Sequence, residues 1–68
     1  MYKSIYVIAP FGNATGGIEL AHQLVDYLRT KNQNAFIVYV DNGQIVDKTV
    51  DDVMPQYKMY NIEVCSEI

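Results

Sequence analysis

Residues Ile5 to Leu20 read Ile5-Tyr6-Val7-Ile8-Ala9-Pro10-Phe11-Gly12-Asn13-Ala14-Thr15-Gly16-Gly17-Ile18-Glu19-Leu20, "IYVIAPFGNATGGIEL", and the break in the middle decides the fold. Ser4 to Ala9 is β-branched, aromatic and almost continuously apolar, the pattern of a parallel strand covered on both faces. Pro10 and Gly12 end it. From Gly17 the apolar residues Ile18, Ala21, Leu24, Val25 and Leu28 recur at helical spacing, with Gln23, Asp26 and Arg29 mostly on the opposite side, so a helix is expected over Gly17 to Lys31. Thr15 or Gly16 caps it, Glu19 sits in its positive first turn, and Arg29 and Lys31 suit its negative end.

After the turn Asn32-Gln33-Asn34, the run "AFIVYV" (Ala35 to Val40) has the same two-sided apolar character as the first strand. Strand, helix and strand together take about 37 residues, the size of one βαβ unit. Asp41-Asn42-Gly43 is turn chemistry. Within Val46 to Met54 a short helix is expected, with Thr49 as N-cap, Asp51 and Asp52 in its first turn and Pro55 as its stop. Alternation in "NIEVCSEI", Asn61 to Ile68, suggests a third strand. The fold class expected is α/β, a partial Rossmann-like domain: a three-stranded parallel sheet of order 3-2-1 with one long helix and one short one. Residues 1–68 then form a single partial domain, the start of a longer one.

That topology has a consequence. Crossovers between parallel strands are right-handed in nearly all cases, so in a 3-2-1 order both connections lie on one face. The opposite face is left bare, although "IYVIA" and "AFIVYV" read as strands covered on both sides. Its cover must come from more chain or from another subunit, and the isolated chain is expected to be a homo-oligomer, joined through that face or through strand edges.

Composition narrows the function. With 68 residues there is at most one domain, and a chain this short buries only about 60% of the surface its unfolded form exposes. Half of the residues are hydrophobic, which suits a folded domain. The net charge is −3, and the five bases are scattered as Lys3, Arg29, Lys31, Lys48 and Lys58. Without a basic stripe, binding to nucleic acid through its phosphates is not expected. The apolar N-terminal run is too short for a signal peptide or a transmembrane segment. Cys65 is the only cysteine, so no internal disulfide or cysteine-based zinc site forms within one chain. A cytoplasmic location fits. Asp47, Asp51 and Asp52 lack the spacing of a calcium loop, and no metal or cofactor is expected.

Three readings compete for the glycine loop. Walker A requires Gly-x-x-x-x-Gly-Lys-Ser/Thr, but Ile18 and Glu19 follow Gly17 where lysine and hydroxyl belong. The dinucleotide fingerprint Gly-x-Gly-x-x-Gly fails on the gap from Gly12 to Gly16. The third reading is a family resemblance: "IYVIAP", then "GNATGGIEL", then "AHQLVDYLRTKNQNAFIVYV" resembles the N-terminal start of bacterial GT-B-fold glycosyltransferases, with their strand, Gly-Gly-x-Glu loop and helix, and "MPQYKMYNIEV" looks like its continuation.

The resemblance implies a fragment of an enzyme that transfers a sugar from a nucleotide-sugar donor to a saccharide acceptor. It places Gly16 and Gly17 at the donor's diphosphate or the acceptor. Glycines let backbone N–H groups approach a phosphate at a helix N-terminus, and Asn13 and Thr15 add side-chain hydrogen bonds. The donor contacts of the second domain are missing, so no catalytic residue is assigned and the 68 residues alone are expected to be inactive. Two plainer readings stand beside this one. The glycines serve only a turn or close packing, and the chain is a small self-associating α/β interaction module without catalytic activity. Glu19 then reads as a helix-dipole partner and His22, at i+3 from it, as a hydrogen-bonded packing residue. The six dispersed tyrosines read as packing residues with hydroxyls at the rim.

Overall fold

The computed structural model describes residues 3–10 and 16–67. Strand β1 (Ser4–Pro10) leads to helix α1 (Gly16–Thr30), strand β2 (Asn34–Asp41), strand β3 (Gln44–Ile45), helix α2 (Val50–Val53) and a 3-10 turn, Pro55–Tyr57. β1 and β2 pair in parallel from Ser4–Asn34 to Pro10–Val40. The βαβ unit expected from hydrophobic periodicity is therefore present, with ends shifted by a residue.

The sheet has three strands in the order β1-β2-β3, and it is mixed rather than all parallel. Its third strand is not Asn61 to Ile68. Asn42 and Gly43 adopt φ of 52° and 76°, the two positive values that a tight type I′ hairpin turn requires. The chain folds back, and Val40 and Asp41 pair antiparallel with Ile45 and Gln44. That short arm occupies the edge of β2 where a full third parallel strand needs to run. Residues 61–67 keep one parallel bridge, Ile37 to Val64, in which the Ile37 N–H donates to Glu63 O and the Cys65 N–H donates to Ile37 O, both at 2.9 Å.

Helix α1 ends in a Schellman arrangement. The Gln33 N–H reaches Leu28 O at 2.9 Å, the Asn32 N–H reaches Arg29 O at 3.0 Å, and Asn32 takes φ 64°. α2 begins as expected, with a reciprocal capping box: Thr49 Oγ1 accepts from the Asp52 N–H at 3.1 Å, and the Thr49 N–H donates to the Asp52 carboxylate at 3.0 Å.

The core lies on one side of the sheet. Ala9, Ile37 and Tyr39 meet Ile18, Ala21 and Val25 of α1, and Val7, Val46, Val53, Met54, Ile62 and Val64 pack around them. Every second residue of a strand points to the same face. Tyr6 and Ile8, their partners Phe36 and Val38, and Val40 with its partner Ile45 therefore share the other face. Tyr6, Ile8 and Ile45 are exposed there while Val38 is fully buried, so the face expected to be bare is only partly uncovered among the described residues.

Candidate functional site

The expected ligand loop falls mostly outside the described residues: Asn13 and Thr15 do. Gly16 and Gly17 open α1 beyond the carboxyl end of β1, and Gly17 is exposed.

The polar side chains that do converge lie between α1 and β2. His22 is fully buried. Its Nδ1 is 2.7 Å from Ile18 O and its Nε2 is 2.7 Å from the Tyr39 hydroxyl. A carbonyl only accepts, so Nδ1 carries the proton. In the neutral ring Nε2 then accepts from Tyr39. Burial holds the His22 pKa below its ordinary value, against the Ile18 carbonyl and the Glu19 carboxylate, which favour the charged form. Burial, reinforced by Asp52, pushes the Tyr39 phenol up to about 12. Both groups are neutral at pH 7.

Tyr57, from the 3-10 turn, closes the cluster. Its ring lies 5.4 Å from that of His22 and 4.7 Å from that of Tyr60. Its hydroxyl donates to Glu19 Oε2 and accepts from Gln23 Nε2, each at 3.1 Å. The Gln23 amide draws the phenol pKa down, but burial, Glu19 and Tyr60 together outweigh it and leave the value raised. Glu19 thus partners a tyrosine as well as the helix end.

Compared with known proteins, the chain matches no family model, no curated protein and no solved structure. The assignment of function rests on its own geometry.

A general base needs a free lone pair within reach of substrate. The Nε2 of His22 is bonded and sealed from solvent, so this cluster ties α1 to β2 rather than doing chemistry. Among the described residues no buried side-chain polar atom lacks a partner, and no metal-sized group of His, Cys, Asp or Glu forms. Cys65 is half-buried, its thiol donating to Glu67 O at 3.0 Å.

A polar hollow of about 540 Å³ lies at the end of α1, lined by Arg29, Asn32, Gln33 and Asn34. It sits at the amino ends of the strands, whereas open α/β sheets bind ligands beyond the carboxyl ends. Arg29 is also engaged: Nε donates to Asn61 Oδ1 and an Nη donates to Ala35 O, both at 3.1 Å, with the guanidinium 6.0 Å from the Phe36 ring centre.

What remains is surface. Besides the bare sheet face, α1 exposes Leu20 at 64%, Leu24 at 46% and Tyr27 at 58%. Their i, i+4, i+7 spacing makes a second apolar stripe on a helix whose buried stripe already faces the sheet. Helical periodicity grouped Leu24 with the core-facing Ile18, Ala21, Val25 and Leu28; the structure instead exposes it, beside Leu20 and Tyr27. No helix among the described residues is long and apolar enough to cross a membrane.

Proposed function

We propose that this chain acts by association, as a small self-associating α/β interaction module. The observation that supports the reading is the amount of large apolar surface a 68-residue chain leaves uncovered: Tyr6, Ile8 and Ile45 on the sheet, and Leu20, Leu24 and Tyr27 on the helix. Exposed large apolar side chains grouped in patches of this kind mark an interface on a folded chain. Among the described residues every buried side-chain polar atom has a partner. Sedimentation of the purified chain from micromolar to millimolar concentration tests this. A mass rising above 7.7 kDa is expected. A monomer throughout overturns the reading.

The sugar-transfer reading is favoured by a separate observation, the parallel β1-α1-β2 unit with Gly16-Gly17 opening the helix. In a Rossmann-like domain further strands join beside β1, where this sheet is open. On that reading the nucleotide-sugar diphosphate meets Gly16 and Gly17, with Asn13 and Thr15 beside it, and a second domain supplies the rest. Calorimetric titration of nucleotide sugars into this chain and into a longer form tests it. Unchanged affinity in a longer Gly16→Val variant removes the phosphate role.

A further inference from the structure

The surface of association is specified more closely by two features that lie side by side, the open edge of β1 and the exposed stripe of α1. Ile37 sends its N–H and C=O to Glu63 and Cys65, away from β1. Its neighbours Phe36 and Val38 therefore turn theirs toward β1, because backbone groups alternate along a strand. In the parallel register these meet Ile5, Val7 and Ala9. Ser4, Tyr6 and Ile8 are left with N–H and C=O directed outward, along an edge that pairs with nothing among the described residues.

On the helix, Leu24 leans over that edge. Glu19, Gln23 and Asp26 form the flank of α1 that bonds Tyr57 and Asn61, and those residues precede the segment bridged to the far side of β2. Leu24 leans to the other flank, toward β1, while Leu20 and Tyr27 lie near the crest of the helix, away from the sheet. The two features are similar in length: Ser4 to Ile8 spans about 13 Å of strand and Leu20 to Tyr27 about 11 Å of helix.

Charge selects what docks there. No charged residue lies in Ser4–Pro10, and the stripe meets none before Lys31, whose ammonium sits 5.7 Å from the Tyr27 ring centre. Of the eight acids, Glu19 and Asp26 belong to the opposite flank, and Asp41, Asp47, Asp51, Asp52, Glu63 and Glu67 lie at or after the end of β2. Two copies of net charge −3 repel over most orientations and least along this wall.

We propose that a second copy of the chain docks here about a two-fold axis normal to the sheet, which rests on the self-association reading. β1 pairs antiparallel with the partner's β1, centred on Tyr6, so that Ser4 meets the partner's Ile8 and every outward N–H of these three residues finds a carbonyl. Pro10, with no N–H, ends the ladder. The same axis lays the two α1 helices antiparallel on one face, with opposed dipoles and Leu24 of each at their seam. So short an edge and helix seam bury little surface, below the standard size of specific interfaces, so the dimer is reversible.

The test compares three substitutions by sedimentation equilibrium, with far-UV circular dichroism to check folding. Leu24→Glu puts charge in the helix seam. Ile8→Pro removes an outward N–H at a position where an edge strand tolerates proline. Ile45→Lys alters only the bare sheet face. The first two are expected to weaken the dimer at least roughly tenfold, since each change occurs twice across the axis, while Ile45→Lys leaves it intact. In the unsubstituted chain, exchange protection of the Tyr6 and Ile8 amides is expected to rise with protein concentration, which reads the interface even where a variant does not fold. An oligomer that survives Leu24→Glu and Ile8→Pro, shows no such protection and dissociates on Ile45→Lys overturns this geometry while leaving self-association standing. A monomeric unsubstituted chain overturns both.

Discussion

The Nε2 of His22 and the hydroxyl of Tyr39 lie 2.7 Å apart, both residues fully buried, so that one hydrogen bond joins the middle of α1 to the covered face of β2. Replacing Tyr39 with Phe keeps the ring and leaves Nε2 without its donor. The expected cost is about 1–3 kcal/mol, the desolvation penalty of an unsatisfied buried polar atom. Urea unfolding measures it; a loss well below that range shows that the site relaxes or admits water.

Acid should act through the same pair. The folded-state pKa of His22 is depressed below 6.5, so the native state binds fewer protons than the unfolded chain. The stability that follows from the neutral ring is present above pH 6.5 and is lost as pH falls through that value toward the folded pKa. Unfolding curves at pH 7.5 and 5.5 should show the chain weaker at the lower value. In His22→Gln this part of the pH dependence should vanish, and an equal slope in both proteins would assign it elsewhere.

Gly43 tests the turn rather than packing. A Cβ placed there meets nothing within 4 Å, but its φ of 76° is one that side chains rarely adopt. Gly43→Ala should therefore destabilise by about 1 kcal/mol through backbone strain alone. Gly43→Asn should be milder, because asparagine tolerates this conformation. Equal midpoints for the two variants in thermal melts would contradict that account.

Thr49 anchors α2 through its hydroxyl and N–H. Thr49→Ser retains the acceptor and should be nearly neutral, whereas Thr49→Ala should cost about 1 kcal/mol. The backbone and side-chain hydrogen bonds from Thr49 hold the Asp52 carboxyl below its usual pKa. That contribution is therefore complete above the ordinary carboxylate range and fades as pH falls below it. A proton titration of Asp52 followed by NMR should move up toward its ordinary value in Thr49→Ala.

Local patterns in this chain were legible where one residue type has one physical use. Thr49 with Asp52 and Pro55 marked α2, and the spacing from Ile18 to Leu28 marked α1. The third strand was misread because alternation in Asn61 to Ile68 describes what those residues would do in a sheet, not whether β2 has room for them. Asn42-Gly43 settles that by folding Gln44 and Ile45 onto β2 first. His22 was legible as a packing residue, but its partner lies seventeen positions away on another element. Tyr39 alternates with Ala35 and Ile37 on the covered face, a signal that places its ring inside; its hydroxyl meets His22 rather than the rim. Tyr57 comes to the cluster only through tertiary folding, which no local pattern carries.

In the proposed dimer, the single bridge between Ile37 and Val64 would govern how the pair ages. Two backbone hydrogen bonds and the contacts of Asn61 hold the tail beside β2, so residues 61–67 are held to the sheet by few bonds and open locally at modest cost. When they peel away, the middle of β2 becomes a second unpaired edge. A molecule joined to its twin along β1 then has a free valence on the opposite side, and a closed pair turns into a link in an open-ended row.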